Sequence, residues 1–156
     1  MNGSITGLRF YKGTTNIGTH TGKLWSNTGM LLGSVTFSGE TASGWQQASF
    51  ATPVAITAST TYVASYHAKV GNYSVTDPYF TTAVDNAPLH ALANGSGVAN
   101  GVYRYGTSAF PDLTYNARNY WVDVFVPAAS MSAAAATTER AGASADTAIA
   151  ATCRDH

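Results

Sequence analysis

From Thr61 to Lys69 the chain alternates without a break. Tyr62, Ala64, Tyr66 and Ala68 fall on one side, and Val63, Ser65, His67 and Lys69 on the other, the period of two that a pleated strand imposes on its side chains. Leu31, Gly33, Val35 and Phe37 keep the same spacing and predict a second strand. Residues 5–11 alternate less cleanly and end at Lys12-Gly13, a strand followed by a turn. Residues 17–22 read as a loop, residues 23–26 as a short strand, and Asn27-Thr28-Gly29 as the turn after it. Trp45, Gln47 and Ser49 oppose Gln46, Ala48 and Phe50, so pattern alone leaves the facing of that strand open. Residues 53–57 form another short strand whose proline marks a start or an edge. Residues 120–126 make a closing strand, and no apolar stripe of helical period competes before Pro127.

Regularity weakens over residues 70–119. Strand-like pieces at Tyr73-Ser74-Val75, Tyr79-Phe80 and residues 102–105 are separated by turn sequences such as Asp77-Pro78, Asp85-Asn86-Ala87-Pro88, Asn94-Gly95-Ser96-Gly97 and Phe110-Pro111-Asp112. Many short strands between Gly, Asn and Ser turns indicate a sandwich or barrel. The reading is an all-β, antiparallel β-sandwich of jelly-roll type, with a loop-rich rim where binding residues concentrate.

Composition then divides the chain. The 3 Trp, 9 Tyr and 6 Phe residues all precede Pro127. Residues 1–127 therefore read as the β-sandwich module, and 128–156 as an Ala/Ser/Thr-rich tail without the apolar mass to pack, a flexible linker or frayed helix. With 8 basic and 8 acidic residues the formal net charge is zero, which speaks against a nucleic-acid footprint and gives no basic face for anionic lipid. Cys153 is the single cysteine, so neither an internal disulfide nor a CxxC motif is formed. No stretch has the pattern of a signal sequence or a membrane span. The chain is expected to be a module of a longer secreted or surface protein.

Several phrases are distinctive together: Ile5-Thr6-Gly7-Leu8-Arg9-Phe10-Tyr11-Lys12, Gly18-Thr19-His20-Thr21-Gly22-Lys23-Leu24-Trp25, Ser43-Gly44-Trp45-Gln46 and Tyr62-Val63-Ala64-Ser65-Tyr66-His67. Pro88-Leu89-His90-Ala91-Leu92, Asn100-Gly101-Val102-Tyr103-Arg104-Tyr105 and Tyr120-Trp121-Val122-Asp123-Val124 complete the set. Jointly they resemble the bacterial domain of unknown function 4082 over residues 3–126. That resemblance implies a module of large secreted proteins, beside immunoglobulin-like or carbohydrate-active domains, with a suspected sugar-binding or adhesive role. It also implies a further strand ahead of Ile5, which leaves the completeness of one sheet edge open.

For chemistry, the tyrosines of the irregular half combine a rigid face with a hydroxyl, a pairing suited to recognition. Tyr73, Tyr79, Tyr103, Tyr105 and Tyr115 are the candidates, with Arg104 and Arg118 as paired donors to hydroxyls or a carboxylate. Among the tryptophans, Trp25 is the stacking candidate, and Trp45 and Trp121 are assigned to the core. Asp85 and Asn86 are the best pair for calcium, although no DxDxDG run accompanies them. His20, His67 and His90 lack metal-ligand spacing, and His20 is expected to brace a loop through its ring nitrogens. Glu40 is the one glutamate before the tail, and no nucleophile elbow, phosphate loop or dinucleotide fingerprint is present. The expected role is non-catalytic binding of polysaccharide or surface glycan. The alternative is a structural spacer or an assembly and adhesion module, touching neighbouring domains or associating with itself through an open sheet edge.

Overall fold

In the computed structural model, which describes residues 2–87, 89–95, 99–127 and 152–154, every regular element is a strand. The order is β1 (Gly3–Lys12), β2 (His20–Ser26), β3 (Leu31–Thr36), β4 (Gly44–Ile56), β5 (Tyr62–Ala68), β6 (Val84–Asn86), β7 (Leu89–Ala91), β8 (Val102–Tyr105), β9 (Leu113–Thr114), β10 (Val122–Phe125) and β11 (Thr152–Arg154). One sheet has three strands, β10-β1-β4, and the other six, β3-β2-β5-β11-β8-β9, while β6 and β7 form a separate hairpin. The two sheets are open and pack as a β-sandwich, as the strand periods predict.

The interior follows the alternation. Ile5, Leu8 and Phe10 of β1, Val122 and Val124 of β10, and Phe50 and Ile56 of β4 meet Leu24 of β2 and the Tyr62, Ala64, Tyr66, Ala68 side of β5. Phe10 lies at the centre, stacked on Tyr66 at 4.4 Å and edge-on to Phe37 at 4.7 Å. The opposite side of β5 is dry as well: Val63 and Ser65 are buried, and Val63 joins Trp25, Phe80, Val102 and Ala117 in a second cluster.

Two sequence expectations change in detail. β2 begins at His20, so the segment read as a loop already carries strand, because Thr21 and Gly22 pair with both β3 and β5. The strands expected at 45–50 and 53–57 are one long edge strand, β4, which among the described residues pairs with β1 alone and so tolerates Pro53. Its register slips between Ile5 and Gly7, where an added Cβ on Gly7 would strike the Ala48 carbonyl oxygen.

From the tail, Thr152–Arg154 form β11, which lies parallel between β5 and β8. The linker or frayed helix that composition predicts over the rest of the tail falls outside the described residues. No described helix is long and apolar enough to cross a membrane.

Candidate functional site

The three-stranded sheet turns one face to solvent, and that face is aromatic where alternation ordinarily places polar residues. On β1 the inward set is Leu8, Phe10 and Lys12, which leaves Arg9 and Tyr11 outward. On β4 the inward set is Gln46, Ala48 and Phe50, which leaves Trp45, Gln47 and Ser49 outward. Tyr11 pairs with Trp45, and its N–H donates to the carbonyl of Trp121, the residue just ahead of β10, at 2.9 Å, so Trp121, Tyr11 and Trp45 form one row across the sheet. Their rings meet edge to face: Tyr11 and Trp45 at 5.7 Å, Trp45 and Trp121 at 6.4 Å, and Trp121 and Tyr79 at 5.5 Å. Trp45 is 43% exposed and Tyr11 41% exposed.

The next row is polar. Arg9 stands between Gln47 and Asp123, and its Nε and Nη2 donate to Asp123 Oδ2 at 3.0 and 2.6 Å. The guanidinium carbon lies 4.5 Å from the centre of Trp45 and 5.9 Å from that of Phe125. Asp123 is held in turn, because its Oδ1 accepts the Val124 N–H at 2.9 Å.

Trp121 is fixed by three bonds. Its N–H donates to Asn119 Oδ1 at 2.7 Å, its indole N–H to Thr76 Oγ1 at 3.0 Å, and its carbonyl accepts from Tyr11. It adopts a left-handed backbone, φ 54°, which is rare for a bulky residue and is retained only where surroundings over-determine it. Two hollows share Trp45 and Trp121. One is a cleft of about 200 Å³ reaching Arg9, Tyr79, Asn86 of β6 and Asp123, and the other, about 260 Å³, lies toward Tyr11, Ser74 and Val75.

A buried polar cluster braces the loop that delivers Trp45. His20 is fully buried, with Nδ1 2.9 Å from both Glu40 carboxylate oxygens and Nε2 2.8 Å from Asn16 Oδ1. Lys12 Nζ donates to Glu40 Oε2 at 2.8 Å. Burial alone pushes the Glu40 carboxyl up, but the hydrogen bonds and charges of Lys12 and His20 together outweigh it and hold the group below its ordinary value. Between Glu40 and Trp45, buried Gln46 closes the turn by donating to Thr41 Oγ1 and the Gly44 carbonyl while accepting the Thr41 N–H.

The residues singled out from sequence scatter around this face. Tyr79 and Asn86 line the cleft. Trp25 does not present a stacking surface: it is 6% exposed, its indole N–H donates to Ser65 Oγ at 2.8 Å, and Phe110 packs edge-on to it. Tyr73 and Tyr103 pack against Tyr120 at the main core, whose hydroxyl burial pushes above its ordinary value, with the neighbouring tyrosines adding to the effect. Tyr105 is exposed beside Tyr103. Arg104 is paired with Asp112 at 2.7 Å. Tyr115 and Arg118 form a separate cluster: the guanidinium lies 4.4 Å over the ring, and its Nε donates to Asp77 Oδ2 at 2.7 Å, a bond that raises Arg118 above its ordinary value. Asp85 is engaged by His90 Nδ1, and the Asp85–Asn86 pair supplies only a fraction of the six to eight oxygens calcium takes. Among the described residues, no group of three or more His, Cys, Asp and Glu side chains gathers.

A family model described as a domain of unknown function, DUF4082, matches residues 1–122. The chain belongs to this family. No curated protein and no solved structure matches the chain. Within the DUF4082 match lie Arg9, Tyr11, Trp45, Tyr79 and Trp121, so the aromatic row is part of the domain proper. Sequence reading missed Tyr11, Trp45, Trp121, Arg9 and Asp123 as a group. The available signal was the phase of β1: with Leu8 and Phe10 inward, Arg9 and Tyr11 point out.

Proposed function

We propose that this chain is a non-catalytic module that binds a neutral glycan on the open face of its three-stranded sheet, within a longer secreted or surface protein. The observation that carries the reading is the Trp121–Tyr11–Trp45 row, with Tyr11 and Trp45 on strands and Trp121 hydrogen-bonded in place just ahead of β10, beside a cleft whose polar groups include Arg9, Asn86, Asn119 and Asp123. Indole and phenol faces take the apolar C–H face of a pyranose ring, and the paired guanidinium and carboxylate offer donors and acceptors to adjacent hydroxyls. Arg9 and Asp123 neutralise each other, so the site favours an uncharged sugar over a uronic acid or a sulfated chain. The strand-borne rings are preformed, which lowers the ordering entropy that binding must offset.

The test is a glycan array probed with the full chain, with and without calcium, followed by titration calorimetry on any binder with the W45A and W121A variants. Binding to neutral saccharides that both variants lose supports the reading. Binding that survives both, or none on any neutral glycan, removes it. A second reading, an assembly or spacer module, is favoured by one observation: among the described strands of the larger sheet, β5 and β8 are joined through β11 alone.

A further inference from the structure

β5 and β8 are not neighbours in the larger sheet; β11 stands between them and runs parallel to both. Thr152 is registered on Tyr66 and Tyr103, Cys153 on His67 and Arg104, and Arg154 on Ala68 and Tyr105. Adjacent strands lie about 4.8 Å apart, so β5 and β8 face each other across a slot one strand wide, roughly 10 Å between them. Vacating it would leave two facing rows of N–H and C=O groups without ladder partners in mid-sheet, a template for any extended segment.

The occupant is three residues long, at the short limit for a strand, and is joined to β10 by a long connection. Residues 128–151, at about 3.3–3.6 Å each when fully extended, could span at most about 86 Å. A domain of this size has a radius of gyration near ~14 Å, so the same strand reaches the slot of an adjoining molecule as well as its own. The ladder bonds are identical either way, because donor segment and acceptor edges are the same.

We infer that the β5–β8 slot is a strand-acceptor site and that Thr152–Arg154 is exchanged through it between two copies of this chain. Concentration sets the balance: the tethered strand competes at an effective concentration on the order of millimolar, so the closed monomer prevails when dilute and the exchanged dimer grows as the protein is concentrated.

The experiment uses the full chain carrying His67→Cys, with native Cys153 as the second thiol. Affinity-tagged and untagged chains are mixed, treated with a short bis-maleimide and mapped by peptide mass. Links from position 67 to Cys153 joining a tagged to an untagged chain are expected, with the dimer-to-monomer ratio rising about tenfold per tenfold rise in concentration while dimer is the minor species. Links confined to single chains at every concentration overturn the exchange, and the absence of any 67–153 link overturns the slot. Sedimentation of the unaltered chain supplies a readout independent of that variant's folding. A dimer that grows with concentration and is lost in C153P, where the ladder N–H is removed, supports the inference; a monomer throughout, or a dimer indifferent to C153P, overturns it.

Discussion

The Arg9 guanidinium lies 4.5 Å from the centre of the Trp45 ring, and the same guanidinium is tied through two N–H groups to Asp123. Trp45 thus has one neighbour that fixes its pitch and still leaves 43% of its surface open. A side chain so arranged contributes little to folding and much to any ligand that lies against it.

Replacing Trp45 with alanine is therefore expected to separate binding from stability. Aromatic anchors at the centre of an interface are worth about 2 kcal/mol or more, so affinity for the best neutral glycan falls by roughly thirtyfold. The melting temperature changes by only a few degrees, since the indole is not part of the core. Calorimetry and thermal melts on the same preparation check both halves.

Asp123→Asn is expected to weaken binding through Arg9 without removing a ring. The amide keeps the shape but gives up the ionic hold on the guanidinium, and a part-exposed pair of this kind is worth about 1 kcal/mol, or roughly fivefold in affinity. For the unaltered chain, affinity for a neutral glycan changes little between low salt and about 0.5 M sodium chloride, because no net ligand charge is screened. A steep salt dependence with a neutral sugar contradicts the assignment of Arg9 and Asp123 as a neutral pair.

Much of this arrangement is legible in the chain, and the illegible part has a physical cause. β5 is plain because its residue types alternate, Tyr62, Ala64, Tyr66 and Ala68 against Val63, Ser65 and His67, even though nearly every side chain of the strand is buried. β8 is less plain, since Val102 is buried on one face while Tyr103 and Tyr105, which share the other, are half-buried and exposed. The phase of β4 is hidden because the polar residue Gln46 points inward, where Thr41 and Gly44 satisfy it, while Trp45 points outward. Hydrophobicity assigns those two neighbours the wrong way round. Trp121 is hidden for another reason: it keeps the alternation, outward with Asp123 while Tyr120, Val122 and Val124 are buried, but a large indole next to a closing strand reads as core by its hydrophobicity. The β6–β7 hairpin, which supplies Asn86 to the cleft, has an exposed first strand of three residues and so carries no periodic signal.

Glu40 sets an acid limit on stability. Its folded-state carboxyl titrates below the ordinary 4.5, so the unfolded chain binds the proton more readily. Its contribution is then fully present above about pH 4.5 and is lost as pH falls through the lower folded value. Glu40→Gln leaves Lys12 and His20 facing a neutral amide in a largely buried site, at a cost of about 3 kcal/mol, roughly 10 °C in melting temperature at pH 7. The gap between unaltered chain and variant should narrow as pH drops below about 4.5. A gap that stays constant to pH 3 means that the charge of Glu40 is not what stabilises the loop.

Trp25 and Ser65 test the division between the interior and the proposed binding face from the other side. The indole N–H of Trp25 has Ser65 Oγ as its partner at 2.8 Å, in a region closed by Phe110 and Val63. Ser65→Ala orphans a buried donor and is expected to cost about 1–3 kcal/mol. Trp25→Ala removes the ring itself and costs about 3–5 kcal/mol, with a cavity left under the 108–111 loop. Neither change touches the Trp121–Tyr11–Trp45 row, so each variant that remains folded at the assay temperature should bind glycan with the affinity of the parent chain. Chemical denaturation gives the first quantity and calorimetry the second. Should Ser65→Ala lower affinity as much as Trp45→Ala while the protein stays folded, the glycan contacts extend across the larger sheet, and the open face of the small one is not the whole of the site.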